Sequence, residues 1–398
     1  MVQPYDSPEE ATFRAEARAW LRAHARSYEQ PPIAPSAIVA EWTPEEEEER
    51  LAEARAWQRQ KSAAGWAGIA WPRDYGGRGG TPVQQAIFDQ EEAAFDVPRD
   101  ALIVGLGWCG PALLLLGTEQ QRRRYIPRLL SGDEVWCQLF SEPQAGSDLA
   151  ALSTRAVRDG DEWILDGQKV WTTFAHLSDW GLCIARTDPD QPKHRGLTAF
   201  MVDMHSPGVE PRPIRQMTGA ANFNEVFLSG VRVPDQDRIG DPGDGWRMVI
   251  TTFMFERMGV LVGRGAMLDA ARSILPPGDR RAAGLWVQNW IKGKVLYYTA
   301  LRLLTAFSRG QIPGPEGSAA KLVGTQILTD LYGQALSNLG AAGVLAGADA
   351  PQQGEWQDAF LGVPGLRIGG GADEIQRNII AERILGLPKD LEAPRAGE

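Results

Sequence analysis

Cysteine and histidine are both scarce: Cys109, Cys137 and Cys183 are the only cysteines, and His24, His176, His194 and His205 the only histidines, in 398 residues. The cysteines are odd in number and lack CxxC spacing, which leaves neither a disulfide framework nor a zinc pattern. Each adjoins an apolar neighbour (Trp108, Trp136, Leu182), so all three read as reduced, buried hydrophobes. The histidines are too scattered to suggest a metal site, and no metal is expected. A basic excess is also missing. The formal net charge of -10 disfavours nucleic acid and anionic lipid, because both bind by counterion release at a basic face. No apolar run is long enough to span a bilayer, and Met1–Glu10 is acidic and proline-containing, unlike an export signal. The expectation is a cytoplasmic chain with no membrane contact.

What is present is a chain that changes period twice. Phe13, Ala17, Trp20, Leu21 and His24 recur at three- and four-residue steps, and Thr43-Pro44-Glu45-Glu46 supplies an N-cap, a proline at N1 and an acidic first turn. Thr81-Pro82 and Thr118-Glu119-Gln120-Gln121 resemble further helix starts, separated by the glycine-rich stretch Gly65 to Gly80. From about Glu134 short β-rich runs take over (Glu162 to Leu165, Gly181 to Ala185, Leu197 to Val202), with Gly160-Asp161 inviting a hairpin. Helical periodicity returns at Trp246 and breaks at Pro276-Pro277-Gly278 and at Ile312 to Pro315; Ala319 to Gly343 and Ala372 to Leu387 read as two of the last helices. The expected α+β architecture is an N-terminal helical domain (1–133), a middle antiparallel, barrel-like β domain (134–240) and a C-terminal four-helix bundle (241–398).

Several motifs narrow the reading. Gly65 to Pro72 with Tyr75 to Gly79, Gly117 to Gln121, Ser141-Glu142-Pro143-Gln144-Ala145-Gly146-Ser147-Asp148, and Asp166-Gly167-Gln168-Lys169-Val170-Trp171-Thr172-Thr173 stand in the order and spacing of one family. Glu225 to Leu228, Val231 to Pro234 and Glu374 to Arg383 extend the match over nearly the whole chain. The sequence resembles the acyl-CoA dehydrogenases, especially those whose base lies on the first helix of the C-terminal bundle, as in the isovaleryl-CoA and long-chain types. The resemblance implies the acyl-CoA dehydrogenase fold, FAD as cofactor, an acyl-CoA substrate and an electron-transfer flavoprotein as acceptor. It implies a homodimer or homotetramer, or a heterotetramer with a homologous subunit.

An isoalloxazine ring needs an apolar face, hydrogen bonds along its polar edge and close backbone approach. By resemblance, Trp171, Thr172 and Thr173 with Gln138, Phe140 and Ser141 meet the ring, and Gly146 and Ser147 approach cofactor and thioester. Gly371 and Glu374 complete the cofactor set. The reaction removes an α-proton to a base and a β-hydride to FAD, with donors on the thioester oxygen lowering the α-proton's pKa. Many members carry the base where this chain has Gly370, in the run Ile368 to Ala372; its backbone N–H remains a donor for the thioester. Met254-Phe255-Glu256-Arg257-Met258 matches the alternative position, so Glu256 is the expected base, desolvated by its apolar neighbours, and Arg257 is expected to contact substrate. No base role is expected for Glu142 or Asp148.

The FAD pyrophosphate end departs from the family pattern. Ile274 to Arg281 replaces an Arg-x-x-Phe-Gly element, Ser337 stands where glutamine is usual, and Ala372 where threonine is usual. Two other readings therefore remain: a largely structural subunit of a heteromeric dehydrogenase, and a flavin oxidase or monooxygenase on the same fold.

Overall fold

The computed structural model describes residues 6–29, 32–33, 41–98, 100–259, 265–311 and 314–389. The N-terminal third is helical: α1 (Pro8–His24), α2 (Pro44–Ala63), α3 (Pro82–Glu92), α4 (Gly110–Leu116) and α5 (Glu119–Ser131). Thr43, Thr81 and Thr118 each open a helix, and Ser7 opens α1; at all four the hydroxyl takes the N3 amide while the N3 side chain returns to the cap. Phe13, Ala17 and Leu21 face a core of Trp57, Trp66, Ile69 and Phe88. His24, expected on that stripe, is exposed instead. One segment was not legible: Gly105–Cys109 forms a π-helical turn running straight into α4.

The middle of the chain forms β1 (Trp136–Leu139), β2 (Arg155–Asp159), β3 (Glu162–Thr173), β4 (Trp180–Arg186), β5 (Leu197–Asp203), β6 (Val209–Ile214), β7 (Phe223–Pro234) and β8 (Arg238–Ile239). They order as β6-β7-β3-β2-β4-β5-β8, with β1 joining β4. Pairing is mainly antiparallel, as expected, but β1 and β4 run parallel, Gln138 lying opposite Leu182. This places the expected ring-lining run Gln138 to Ser141 at a strand end.

Helix α6 (Gly245–Gly259) enters the seam between the sheet and the N-terminal helices, packing on α4, the Gly105–Cys109 turn and β5. Met248 and Val249 are buried there with Leu113, Trp136 and Phe140. Beyond it follow α7 (Gly265–Ser273), α8 (Arg280–Ser308), α9 (Glu316–Leu339), α10 (Glu355–Ile368) and α11 (Asp373–Ile379). Leu328, Leu331, Tyr332 and Ala335 of α9 meet Trp356, Ala359 and Val363 of α10. Each buried leucine or valine among them contributes about 1.5–3 kcal/mol. That packing makes α9 a rigid wall, and α10 and α11 are joined across it by the turn Gly369 to Ala372.

Candidate active site

The end of β3 is the most strained backbone of the sheet. Its pairing with β7 slips between Lys169 and Thr172, and Trp171 (φ 59) and Phe174 (φ 52) both adopt the left-handed region, which bulky residues avoid unless surroundings force it. The forcing groups are visible. Phe174 N–H donates to Asn222 O at 2.7 Å, and the buried Asn224 donates through Nδ2 to Thr172 O at 3.1 Å. The His176 ring lies between Asn224 Oδ1 (3.0 Å) and Glu47 Oε2 of α2 (3.1 Å). Trp171 is thereby turned outward, 58% exposed and edge-on to Phe223 at 6.1 Å.

Beside this segment, buried polar atoms are left without partners: Thr172 Oγ1 and Gln138 Oε1. Native interiors rarely leave such atoms unpaired. An exposed indole face flanked by orphaned donors and acceptors fits the edge of a flavin ring, and this is the observation that matches the chain to FAD. Thr173 is half-buried next to them, and Ser141 O accepts Val170 N–H at 2.9 Å, holding the two motifs together. Gly146 and Ser147 lie on an exposed loop; a Cβ on Gly146 would meet nothing of the chain within 4 Å, so the fold itself makes no demand for glycine there.

Under the loop sits a buried ion pair. Lys169 Nζ, fully buried, donates to Glu142 Oε1 at 2.9 Å, Phe140 O at 3.1 Å and Ile184 O at 2.7 Å. Glu142 also accepts the Thr154 and Ser153 N–H groups at 2.8 and 2.7 Å. Burial alone would raise the Glu142 carboxyl, but Lys169 and these donors outweigh it and hold it down to about 2. A carboxylate this acidic is no base.

Glu256 is its opposite. Phe140 packs edge-to-face on Phe253 at 5.9 Å, fixing α6 to the ring-lining run one turn before Glu256. The residue is half-buried as a whole, yet its carboxyl is pushed up to about 7 because burial outweighs the pull of Arg257 and Lys321. Gly370 lies against it: a Cβ there would stand 2.8 Å from Glu256 Oε1. The alternative carboxylate position implied by the resemblance therefore lies beside Glu256, and a side chain at 370 would crowd the Glu256 carboxyl. Gly370 (φ 65) and Gly371 (φ 92) are both left-handed, which glycine alone adopts freely. Arg257 follows Glu256 with its Nε buried and unpartnered.

Glu374 does not converge with the rest; its side chain is 79% exposed and pairs with Arg377 at 3.6 Å. At the far end, Ser337 turns its hydroxyl back on Gly333 O, and Arg280 and Arg281 open α8. Sequence reasoning missed Lys321, Gln376 as a turn-holding side chain, and the Glu47, His176 and Asn224 brace. A signal for Lys321 existed: Ser318, Lys321, Thr325 and Leu328 share one helical face, so the lysine falls on the buried stripe of α9. Among the described residues no group of His, Cys, Asp and Glu could hold a metal, and no helix is long and apolar enough to cross a membrane.

Family models agree with the geometry over most of the chain: the acyl-CoA dehydrogenase N-terminal domain matches residues 7–133, the middle domain 137–231 and the C-terminal domain 286–385. The acyl-CoA dehydrogenase IpdE1 of Mycobacterium tuberculosis is 37% identical over 384 residues, 95% of this chain and 98% of that one. IpdE1 of Mycolicibacterium smegmatis is 35% identical over 95% and 98% of the two chains. Among solved structures, the Tcur3481-Tcur3483 steroid ACAD superposes with a TM-score of 0.78 at 27% identity, covering 97% of this chain and 99% of that one. The ChsE4-ChsE5 complex from Mycobacterium tuberculosis gives 0.74 at 28% identity, covering 97% and 100%. With a strained, exposed indole, a glutamate of raised proton affinity and these matches in agreement, the chain belongs to the acyl-CoA dehydrogenase family of FAD-dependent oxidoreductases.

Proposed function

We propose that this chain dehydrogenates a bulky acyl-CoA between the carbons next to the thioester, with Glu256 as the base. The carrying observation is the Glu256 carboxyl, raised to about 7 and lying against the Gly370 turn. A carboxyl with that proton affinity is ionised in part at neutral pH and still basic enough to take an α-proton. The Gly370 N–H serves as donor to the thioester oxygen, and Arg257, its Nε without a protein partner, contacts substrate. Ser147 meets cofactor and substrate from the open loop. FAD, when bound, would supply the hydride acceptor: Trp171 would give its ring a platform, Gln138, Phe140, Ser141, Gly146, Thr172 and Thr173 would frame it, and Gly371 would border it, whereas the exposed Glu374 stands apart from them.

The acyl group we assign is a large, ring-bearing one. A solved relative of matching size, covering 97% of this chain, is a steroid ACAD, and that likeness supports the assignment. We further propose a heteromeric assembly with a homologous subunit in the cytoplasm, passing electrons to an electron-transfer flavoprotein. Val287, Ile291, Val295 and Tyr298 form an exposed apolar stripe along α8 that suits a subunit of the same fold, and a neighbour is described as a two-component complex. The departures at the pyrophosphate end favour a partner that completes the cofactor site.

The test is anaerobic addition of an acyl-CoA panel, straight-chain and steroid-side-chain, to protein purified alone and with a co-expressed homologue. Bleaching of the flavin by the steroid-side-chain thioesters is expected. No bleaching by any thioester in either preparation would sink the reading.

A further inference from the structure

Lys321 is buried to 3% side-chain exposure on α9, a helix whose buried face is otherwise small or apolar apart from Ser318 and Thr325. Its ammonium donates to Gly371 O at 2.8 Å and Arg367 O at 3.1 Å, and pairs with Asp373 Oδ1 at 3.6 Å. Gln376, fully buried, donates to Gly370 O at 2.9 Å and Gly371 O at 3.1 Å. Both carbonyls of the left-handed glycine pair are thus tied by side chains. Among the described residues, neither N–H of the pair donates to a backbone carbonyl. Glu256 rests against the same pair, 2.8 Å from where a Cβ on Gly370 would be.

Burying an ammonium is costly, and packing α9 on α10 requires no charge. The chain nevertheless places Lys321 beside Asp373, itself held by Arg367 Nε at 2.7 Å, and within electrostatic reach of Glu256. We propose that Lys321 is a positioning residue for the base: it fixes the Gly370-Gly371 turn against which Glu256 rests, and its charge, shared between Asp373 and Glu256, sets how tightly Glu256 holds a proton. The inference rests on the reading of Glu256 as base. The charged and titratable groups facing this cluster are Glu256 and Arg257 of α6, Asp373 of α11, Arg367 of α10 and the Cys109 thiol, which burial keeps protonated. Burial lowers the proton affinity of Lys321, and Asp373 and Glu256 oppose that.

The experiment is an infrared titration of the purified holoenzyme, following the carboxylic C=O stretch that disappears in Glu256→Gln. Lys321→Met is expected to raise the Glu256 midpoint. Asp373→Asn is expected to lower it, because Lys321 is then neutralised by Glu256 alone. Lys321→Arg should stay nearer the wild type than Lys321→Met. The acid limb of anaerobic flavin bleaching should move in the same two directions. General damage to the bundle does not shift two variants oppositely. Unchanged midpoints in Lys321→Met and Asp373→Asn overturn the proposal; if Lys321→Met does not fold, an unchanged midpoint in Asp373→Asn overturns it alone. Full bleaching by Glu256→Gln would remove the base reading instead, while the infrared midpoints still report whether Lys321 governs the Glu256 proton.

Discussion

Glu142 is buried and Glu256 half-buried, yet the sheet holds the first near a pKa of about 2 and the bundle lifts the second to about 7. The difference lies in the partners each region supplies. The sheet surrounds Glu142 with an ammonium and two backbone N–H groups, so its charge is fully compensated. The bundle gives Glu256 only the weaker pull of Arg257 and Lys321, which burial outweighs. Burial by itself decides nothing about a carboxylate; compensation does. The sheet uses its glutamate to hold a loop, and the bundle's is the one proposed as the base.

The largest expected effect breaks the bundle side. Glu256→Gln should slow anaerobic flavin reduction by an acyl-CoA by roughly 10²–10⁴-fold or more while the protein stays yellow, since general base catalysis is worth about that much. Stopped-flow bleaching measures it. The matching change on the sheet side is Lys169→Met, which strands a buried carboxylate and should cost about 3–5 kcal/mol of stability in urea unfolding. A small cost there would mean that water reaches Glu142.

Opposite pH slopes sharpen the contrast. Glu142 has a folded pKa below the ordinary 4.5, so its contribution, about 3 kcal/mol, is present above that value and is lost as pH falls towards about 2. Glu256 has a folded pKa above 4.5, so the folded chain is progressively penalised as pH rises from there through about 7, by up to about 3 kcal/mol. Glu256→Gln should therefore be more stable than wild type above neutrality and indistinguishable from it in mild acid; thermal unfolding across pH checks both limbs.

Smaller effects test the turn and the platform. Gly370→Ala must adopt φ 65 and crowd Glu256 Oε1, so about 1–2 kcal/mol of stability and much of the bleaching rate should be lost. Trp171→Ala removes a side chain that is 58% exposed, so stability should change by less than about 0.5 kcal/mol. Its effect should appear as weaker FAD retention on gel filtration.

Much of this was readable in advance because it was local. Thr43, Thr81 and Thr118 announce helix starts through residues three apart, and Glu256 stands out because a glycine run occupies the alternative position for its carboxylate. What was not readable depends on distant pieces meeting. Lys321 acts on Gly371, fifty residues on, and the brace from Glu47 through His176 to Asn224 joins α2 to the turn after β3 and to the start of β7. The parallel pairing of β1 with β4 is likewise a matter of topology, invisible to periodicity.

The most direct measurement is the pH dependence of kcat/KM for anaerobic flavin reduction by an active acyl-CoA, which reports the free enzyme's base. An acid limb with a midpoint at about 7, absent from the residual rate of Glu256→Gln, is the expected result. A rate independent of pH through neutrality, or an unchanged limb in that variant, would contradict the assignment of the base.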